Sequence, residues 1–430
     1  MTATSIASVH GRRVWDSRGR PTVEAEVTLA GGARGRAIAP AGASTGSGEA
    51  VDLRDGGATF SGLDVRRARG NVSGEIANAL RGADATDQRT VDQILIALDG
   101  THDKSRLGGN AIIATSMATA HAAANAAGES LWRYLSDGKP VRLPLPEIQI
   151  FGGGAHAAGR VDIQDFMIVC PRAKSFAEAL DITAEVYGAA GKILGERGLL
   201  QGVADEGGYW PAFASNEQAL DMLVASIERA GFTPGQDVAI SLDVAATSFG
   251  KGGRYHLPLE GREFNSEGLI ELLGGWIARY PIVSIEDPLA EDDAEGFCRF
   301  TQAFGARVQV VGDDFLVTNA ERIRRAAASG AVTAALIKPN QAGTLTETQD
   351  ALAAAHTAGL ATITSARSGE SEDVTVVHLA VGWNAGQLKV GSFARSERLA
   401  KWNEALRIEE TLTPARFSGG EALGFRKQQP

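Results

Sequence analysis

Polar and apolar residues alternate almost one for one from Thr22 to Leu29, Gly31 and Gly32 follow as a turn signal, and a second short apolar run comes next. The first 60 residues therefore predict an antiparallel β-hairpin. Residues 107–128 are alanine-rich, with small or apolar side chains on most faces of a helical projection. That pattern predicts a buried helix. Pro140, Pro144 and Pro146 interrupt it, which places a domain boundary near residue 135 and divides the chain into 1–134 and 135–430. Beyond the boundary, β-rich runs at 161–170, 238–243, 281–286, 308–314, 334–338, 361–366 and 386–392 alternate with helical patterns. One helix begins at Asn265 or Ser266, and another is capped by Thr318 or Asn319 and stopped by Gly330. Strand, helix, strand over nearly 300 residues predicts an α/β chain, with a C-terminal β/α barrel and a smaller N-terminal α+β capping domain. The alternative is a doubly wound open sheet, which the chain supports less well because it lacks GxGxxG after the first run and GxxxxGK[ST] throughout.

With 430 residues, 44% of them hydrophobic, the chain has the material for two cores. No stretch of 18 apolar residues occurs, and the start MTATSIASVHGRR lacks the order of a signal peptide. A cytoplasmic protein without membrane partners is expected. Forty-two basic against 52 acidic residues give a net charge of −10, the wrong sign for general phosphate-backbone binding, so nucleic acid is not an expected partner. Cys170 and Cys298 sit in apolar segments without CxxC spacing, and both are expected in the core rather than in a disulfide or a zinc cluster.

Of the basic residues, only nine are lysine. Two of these, Lys338 and Lys389, nevertheless close apolar β-like runs, and a partly buried lysine can lose its proton where an arginine cannot. Asp243, Glu286 and Asp313 end three successive earlier runs. In a β/α barrel the C-terminal strand ends share one mouth, so these five side chains should converge. Three carboxylates together require a cation, and an all-oxygen set favours a hard ion of the Mg²⁺ type. A cation beside a substrate carboxylate makes the proton alpha to it acidic, and a neutral lysine can remove that proton. The pairing of a lysine base with Mg²⁺ is a known arrangement of the enolase superfamily.

Local words then extend the pattern. PAGASTGSGEAVDLRDG (40–56), LGGNAI (107–112), DEGGYWP (205–211), LDVAATSF (242–249), SIEDPLAEDD (284–293), VQVVGDDFLVTN (308–319), LIKPNQAGTLTET (336–348), SARSGESED (365–373) and KVGSFARSERLAKWNEALRIEE (389–410) resemble the enolase family, in order and without a large gap. The resemblance implies that Asp243, Glu286 and Asp313 bind a first Mg²⁺ and that Ser44, in a Gly-rich lid loop, reaches a second. It implies Lys338 as the base, Lys389 as the partner of the substrate carboxylate, Arg367 and Ser368 as phosphate contacts, and Glu206 as the acid that helps expel a C3 hydroxyl. His156, in GGGAH, matches a histidine over the site.

Two departures fall on one part of that pattern. Ala366 stands where the family word SHRSGE has a histidine, and in Gln164-Asp165-Phe166-Met167-Ile168 the glutamate of QEFMI is shortened to Asp165. Both positions surround the C3 hydroxyl in the family pattern. Ala41 and Ala155 replace serines of the lid and histidine loops. The expected function is a specialised enolase-like enzyme of phosphonate or phosphinate natural-product biosynthesis, acting on a small phosphorylated or phosphonylated carboxylic acid with two Mg²⁺ per site. Ordinary dehydration of 2-phosphoglycerate is the alternative, and a non-catalytic enolase-fold binding protein the third. A homodimer or higher homo-oligomer is expected.

Overall fold

The structure, a computed structural model, describes residues 2–43 and 45–424. Ser44, expected as a metal and substrate ligand, lies outside the described residues. The N-terminal unit opens with β1 (Ile6–Trp15), β2 (Pro21–Leu29) and β3 (Arg34–Ile38), an antiparallel sheet in the order β1-β2-β3. The expected hairpin is its β2–β3 half. Against this sheet lies the helix Gly109–Ala127, buried along most of its length. Small residues allow the close approach: a Cβ added at Gly35 would stand 2.1 Å from the Ala118 carbonyl oxygen and 2.2 Å from the Ala122 nitrogen. Gly35→Ala should therefore push helix from sheet and cost about 3 kcal/mol. Chemical denaturation of the variant measures this, and an unchanged midpoint would show that the two surfaces can separate freely.

The larger unit is a closed barrel. Its strands are β4 (Leu145–Gly152), β5 (Asp165–Val169) and β6 (Ala239–Asp243), then, after a small hairpin sheet of β7 (Gly250–Lys251), β8 (Arg254–Leu257) and β9 (Arg262–Asn265), β10 (Ile282–Glu286), β11 (Gln309–Gly312), β12 (Ala334–Ile337), β13 (Ala361–Ser365) and β14 (Gln387–Ser392). The circuit runs β10-β11-β12-β13-β14-β4-β5-β6. Outer helices begin where the sequence places them, Asn265 accepting from Gly268 N and Asn319 from Glu321 N and Arg322 N.

Two features differ from the sequence reading. The Pro-rich interruption contains a complete barrel strand, β4, with Pro146 near its start. More consequentially, β5 runs antiparallel to both β4 and β6. The β4–β5 connection carries only one short helical turn, Gly154–Ala157, and no helix able to cross the sheet. The chain must turn back, so the first residue of β5 is placed at the mouth where the other strands end. Cys170 is buried as expected, but Cys298 is only partly buried on the outer helix Ala294–Phe304, its thiol 3.5 Å from the Ser329 carbonyl. Among the described residues, no helix is long and apolar enough to cross a membrane.

Candidate active site

Asp243 and Glu286 are the last residues of adjacent strands and lie in register, while Asp313 and Lys338 follow the ends of β11 and β12 by one residue. Lys389 sits in the middle of β14. All five are between 2% and 9% exposed, and they meet. Lys389 Nζ donates to Asp243 Oδ2 at 2.8 Å and to Glu286 Oε2 at 2.7 Å, and Lys338 Nζ donates to Asp313 Oδ2. Charge balance alternates across the mouth. Burial, reinforced by the Asp243 carboxylate, raises Glu286 well above the usual carboxylate range. Burial acts the same way on Asp313, but the Lys338 ammonium outweighs it and holds that carboxyl low.

Lys338 is held as an ammonium rather than as the neutral amine expected of a base, and Lys389, expected as the partner of a substrate carboxylate, keeps its proton as well. Burial does favour loss of the proton at Lys338 and Lys389, yet Asp313 raises the first, and Asp243 with Glu286 raises the second well above its ordinary value. An ammonium among carboxylates is stabilised more than it is desolvated. A buried acceptor, Glu286 Oε1, is left without a hydrogen bond. Asp287, Asp313 and Asp314 form a group of carboxylates with candidate ligand atoms within 4.8 Å of one another. Asp287 accepts from the backbone amides of Asp313 at 2.9 Å and Asp314 at 2.8 Å, which clamps the turn after β11 onto the end of β10. Sequence reasoning missed Asp287 and Asp314, although each is the second acid of a doublet, Glu286-Asp287 and Asp313-Asp314.

On the lid side, Arg367 donates to Glu49 Oε2 at 2.9 Å and to Asn340 Oδ1 at 3.1 Å. Gln341 ties Asp313 Oδ1 at 2.9 Å to Glu49 Oε1 at 3.3 Å. Glu49 and Gln341 carried no signal in the sequence beyond lying in the quoted words, because neither ends a strand. Ser368 is buried nearby, its hydroxyl accepting from Arg18 at 3.3 Å.

The two departures are Asp165 and Ala366. Asp165 opens β5 and pairs in register with Asp243 and with Gly152. Its Oδ1 accepts from the Gln149 side-chain amide and lies 3.1 Å from His156 Nδ1. His156 Nε2 stands 3.8 Å from Glu206 Oε1. Burial favours a neutral imidazole, but Asp165 and Glu206 together raise His156 to about 9. Asp165, though buried, is brought down to about 2, chiefly by His156. Gln164 Nε2 donates to Asp243 Oδ2 at 3.2 Å. Ala366 is buried, its backbone amide donating to the Lys389 carbonyl at 2.9 Å. The Glu206 loop is fixed from behind, since the Ser392 amide donates to the Glu206 carbonyl at 2.8 Å and the Tyr187 hydroxyl to that of Gly207 at 2.9 Å.

Two family models match this chain: enolase, N-terminal domain, over residues 6–135, and enolase, C-terminal TIM barrel domain, over residues 140–425.

Proposed function

The chain belongs to the enolase family, and from that premise we propose that it forms the enolate of a small phosphorus-bearing carboxylic acid by removing the proton at C2. The reaction we favour is a specialised one, such as that of the carboxyphosphonoenolpyruvate synthases of phosphonate and phosphinate natural-product pathways. One observation carries this reading. The strand-end carboxylates and lysines are kept and converge, while the changes at Asp165 and Ala366 fall on positions that surround the departing C3 group in the family pattern.

Asp243, Glu286 and Asp313 would hold the Mg²⁺ of the family. Their oxygen-only chemistry fits a hard cation, and the buried Glu286 Oε1 still lacks a partner. When bound, the ion lowers the energy of the charge that builds on a substrate carboxylate during proton loss. The protein's own groups do the rest. Lys338 takes the C2 proton on Nζ once Asp313 is engaged elsewhere, because burial then favours the neutral amine. Lys389, ringed by acids, stays an ammonium and orients the substrate carboxylate. Arg367 and Ser368 face the phosphorus-bearing group, for which a guanidinium fork is well shaped. The second Mg²⁺ and Ser44 belong to the same proposal.

Chelation with EDTA should abolish turnover, and added Mg²⁺ should restore it. Asp243→Ala, Glu286→Ala and Asp313→Ala should each come close to the chelated state. Full activity in excess EDTA would overturn the assignment of these three residues.

A further inference from the structure

The turn between β1 and β2 belongs to the N-terminal unit, yet it is docked on the barrel loop that carries Arg367 and Ser368. Asp16 builds that turn: its Oδ1 accepts from the backbone amides of Arg18 at 2.8 Å and Arg20 at 2.9 Å, and Gly19 supplies the left-handed residue at φ +68°. The Ser17 amide donates to the Glu370 carbonyl at 2.7 Å, and the Ser17 hydroxyl to the Ser368 carbonyl at 3.3 Å. Arg398 donates to the carbonyls of Arg367 and Ser368 as well. The backbone at Arg367 and Ser368 is therefore tied down by protein groups alone.

Arg18 is buried and spends all five of its N–H groups. Nε and one hydrogen of Nη2 go to Asp16 Oδ2, at 3.3 and 3.1 Å, and the other hydrogen of Nη2 goes to the Ala41 carbonyl at 2.9 Å. Nη1 serves the Gly42 carbonyl at 3.4 Å and the Ser368 hydroxyl at 3.3 Å. Ala41 and Gly369 exchange two backbone hydrogen bonds of 2.9 Å, so the guanidinium joins the start of the lid loop to the Ser368 loop. Gly369 leaves the room for it. A Cβ there would stand 2.3 Å from Arg18 Nη2 and 2.5 Å from Asp16 Oδ2.

Ser368 is buried, and among the described residues the bond from Arg18 is the only one to its hydroxyl. A hydroxyl that accepts from a cation must aim its own hydrogen elsewhere, and the cation makes that hydrogen a stronger donor. We propose that Arg18 is a positioning residue for the phosphorus-bearing group of the substrate: held by Asp16 and the carbonyls of Ala41 and Gly42, it keeps the Ser368 oxygen as an acceptor and so turns the Ser368 hydrogen onto that group. The inference rests on the reading above, in which Ser368 faces the phosphorus. It sets a requirement on the ligand, which must offer an acceptor oxygen there, as an ionised phosphate or phosphonate does. It also makes the N-terminal unit part of the substrate site through one side chain.

The test compares binding of 2-phosphoglycerate with that of D-glycerate, which lacks the phosphorus, by titration calorimetry on the full chain with Mg²⁺ present. Arg18→Gln should weaken 2-phosphoglycerate about 10- to 100-fold, the worth of one hydrogen bond to a charged group, and leave D-glycerate within a few-fold. Ser368→Ala should do the same, and the two changes together should cost no more than the larger alone, because one acts through the other. Arg18→Lys keeps the charge without the fork and should behave as Arg18→Gln does. Gly369→Ala displaces the guanidinium without removing it and should show the same selective loss. Should Arg18→Gln fail to fold, Gly369→Ala takes its place in the double-variant comparison and the same outcomes decide. Additive losses in the double variant, full affinity in Arg18→Lys, or equal losses for both ligands would each overturn the proposal, the last by showing an arginine that only holds the fold together. An unaltered protein that binds 2-phosphoglycerate no more tightly than D-glycerate would instead remove the reading of Ser368 itself, and this inference with it.

Discussion

Lys338→Ala is expected to lose exchange of the substrate C2 proton with deuterated solvent together with turnover, by about 10² to 10⁴ in each, the usual worth of a positioned base. Changes at Glu206 should lower turnover while sparing exchange, because they act after the enolate has formed. The structure supplies the competing candidate. Lys389 lies in the same mouth and is equally buried, but it donates to both Asp243 and Glu286, and Asp165 lies 3.8 Å away. Lys338 has one carboxylate partner, Asp313, and needs to lose only that one before burial favours its neutral form. Exchange that survives in Lys338→Ala would transfer the base to Lys389 and leave the rest of the mouth assignment to be rebuilt around it.

The second large effect concerns 2-phosphoglycerate. Relative to the family pattern, Asp165 withdraws its carboxylate by one C–C bond, about 1.5 Å, and a misplacement of about 1 Å can cost on the order of 100-fold. Ala366 leaves an apolar methyl where the family has a histidine beside the departing hydroxyl, and acid–base assistance at such a point is typically worth about 10² to 10⁴. The unaltered protein should therefore make phosphoenolpyruvate from 2-phosphoglycerate poorly. Asp165→Glu with Ala366→His should raise that reaction and harm the native one. Because Gln149 fills the space a longer acid would need, Gln149→Asn should be included to let Glu fit. A kcat of roughly 10 per second or more in the unaltered protein would show a plain enolase with a tolerant pocket, and the specialised reading would fail.

Much of this architecture is local information. The alternation in β2, the alanine content of Gly109–Ala127 and the caps at Asn265 and Asn319 are properties of short segments, and they reappear in the structure because each depends on residues that lie close together in the chain. The strand-end acids and lysines were legible for a similar reason. A charged residue closing an apolar run has no packing role, so it marks the mouth before any strand is placed. The recurrence of strand and helix along the second half likewise identified the barrel without contacts. Glu49 and Gln341 were not legible, since nothing in their immediate neighbours distinguishes a residue that bonds across the mouth from one that faces solvent.

Three matters were decided only by tertiary structure. The direction of β5 depends on whether its connection can cross the sheet, and that reversal is what brings Asp165 to the mouth beside Asp243. The charge states of Lys338 and Lys389 depend on which carboxylates lie within about 3 Å, and these come from strands far apart in the chain. Gln149 reads in the sequence as one polar residue in an apolar strand, and it becomes a clamp only because β4, β5 and the Glu206 loop close around it. The sequence by itself determined which side chains would gather at the barrel mouth, because hydrophobic periodicity and strand ends are local. Partners, protonation and orientation were left to the fold, because Coulomb interactions and hydrogen bonds act through space between residues that chain order does not relate.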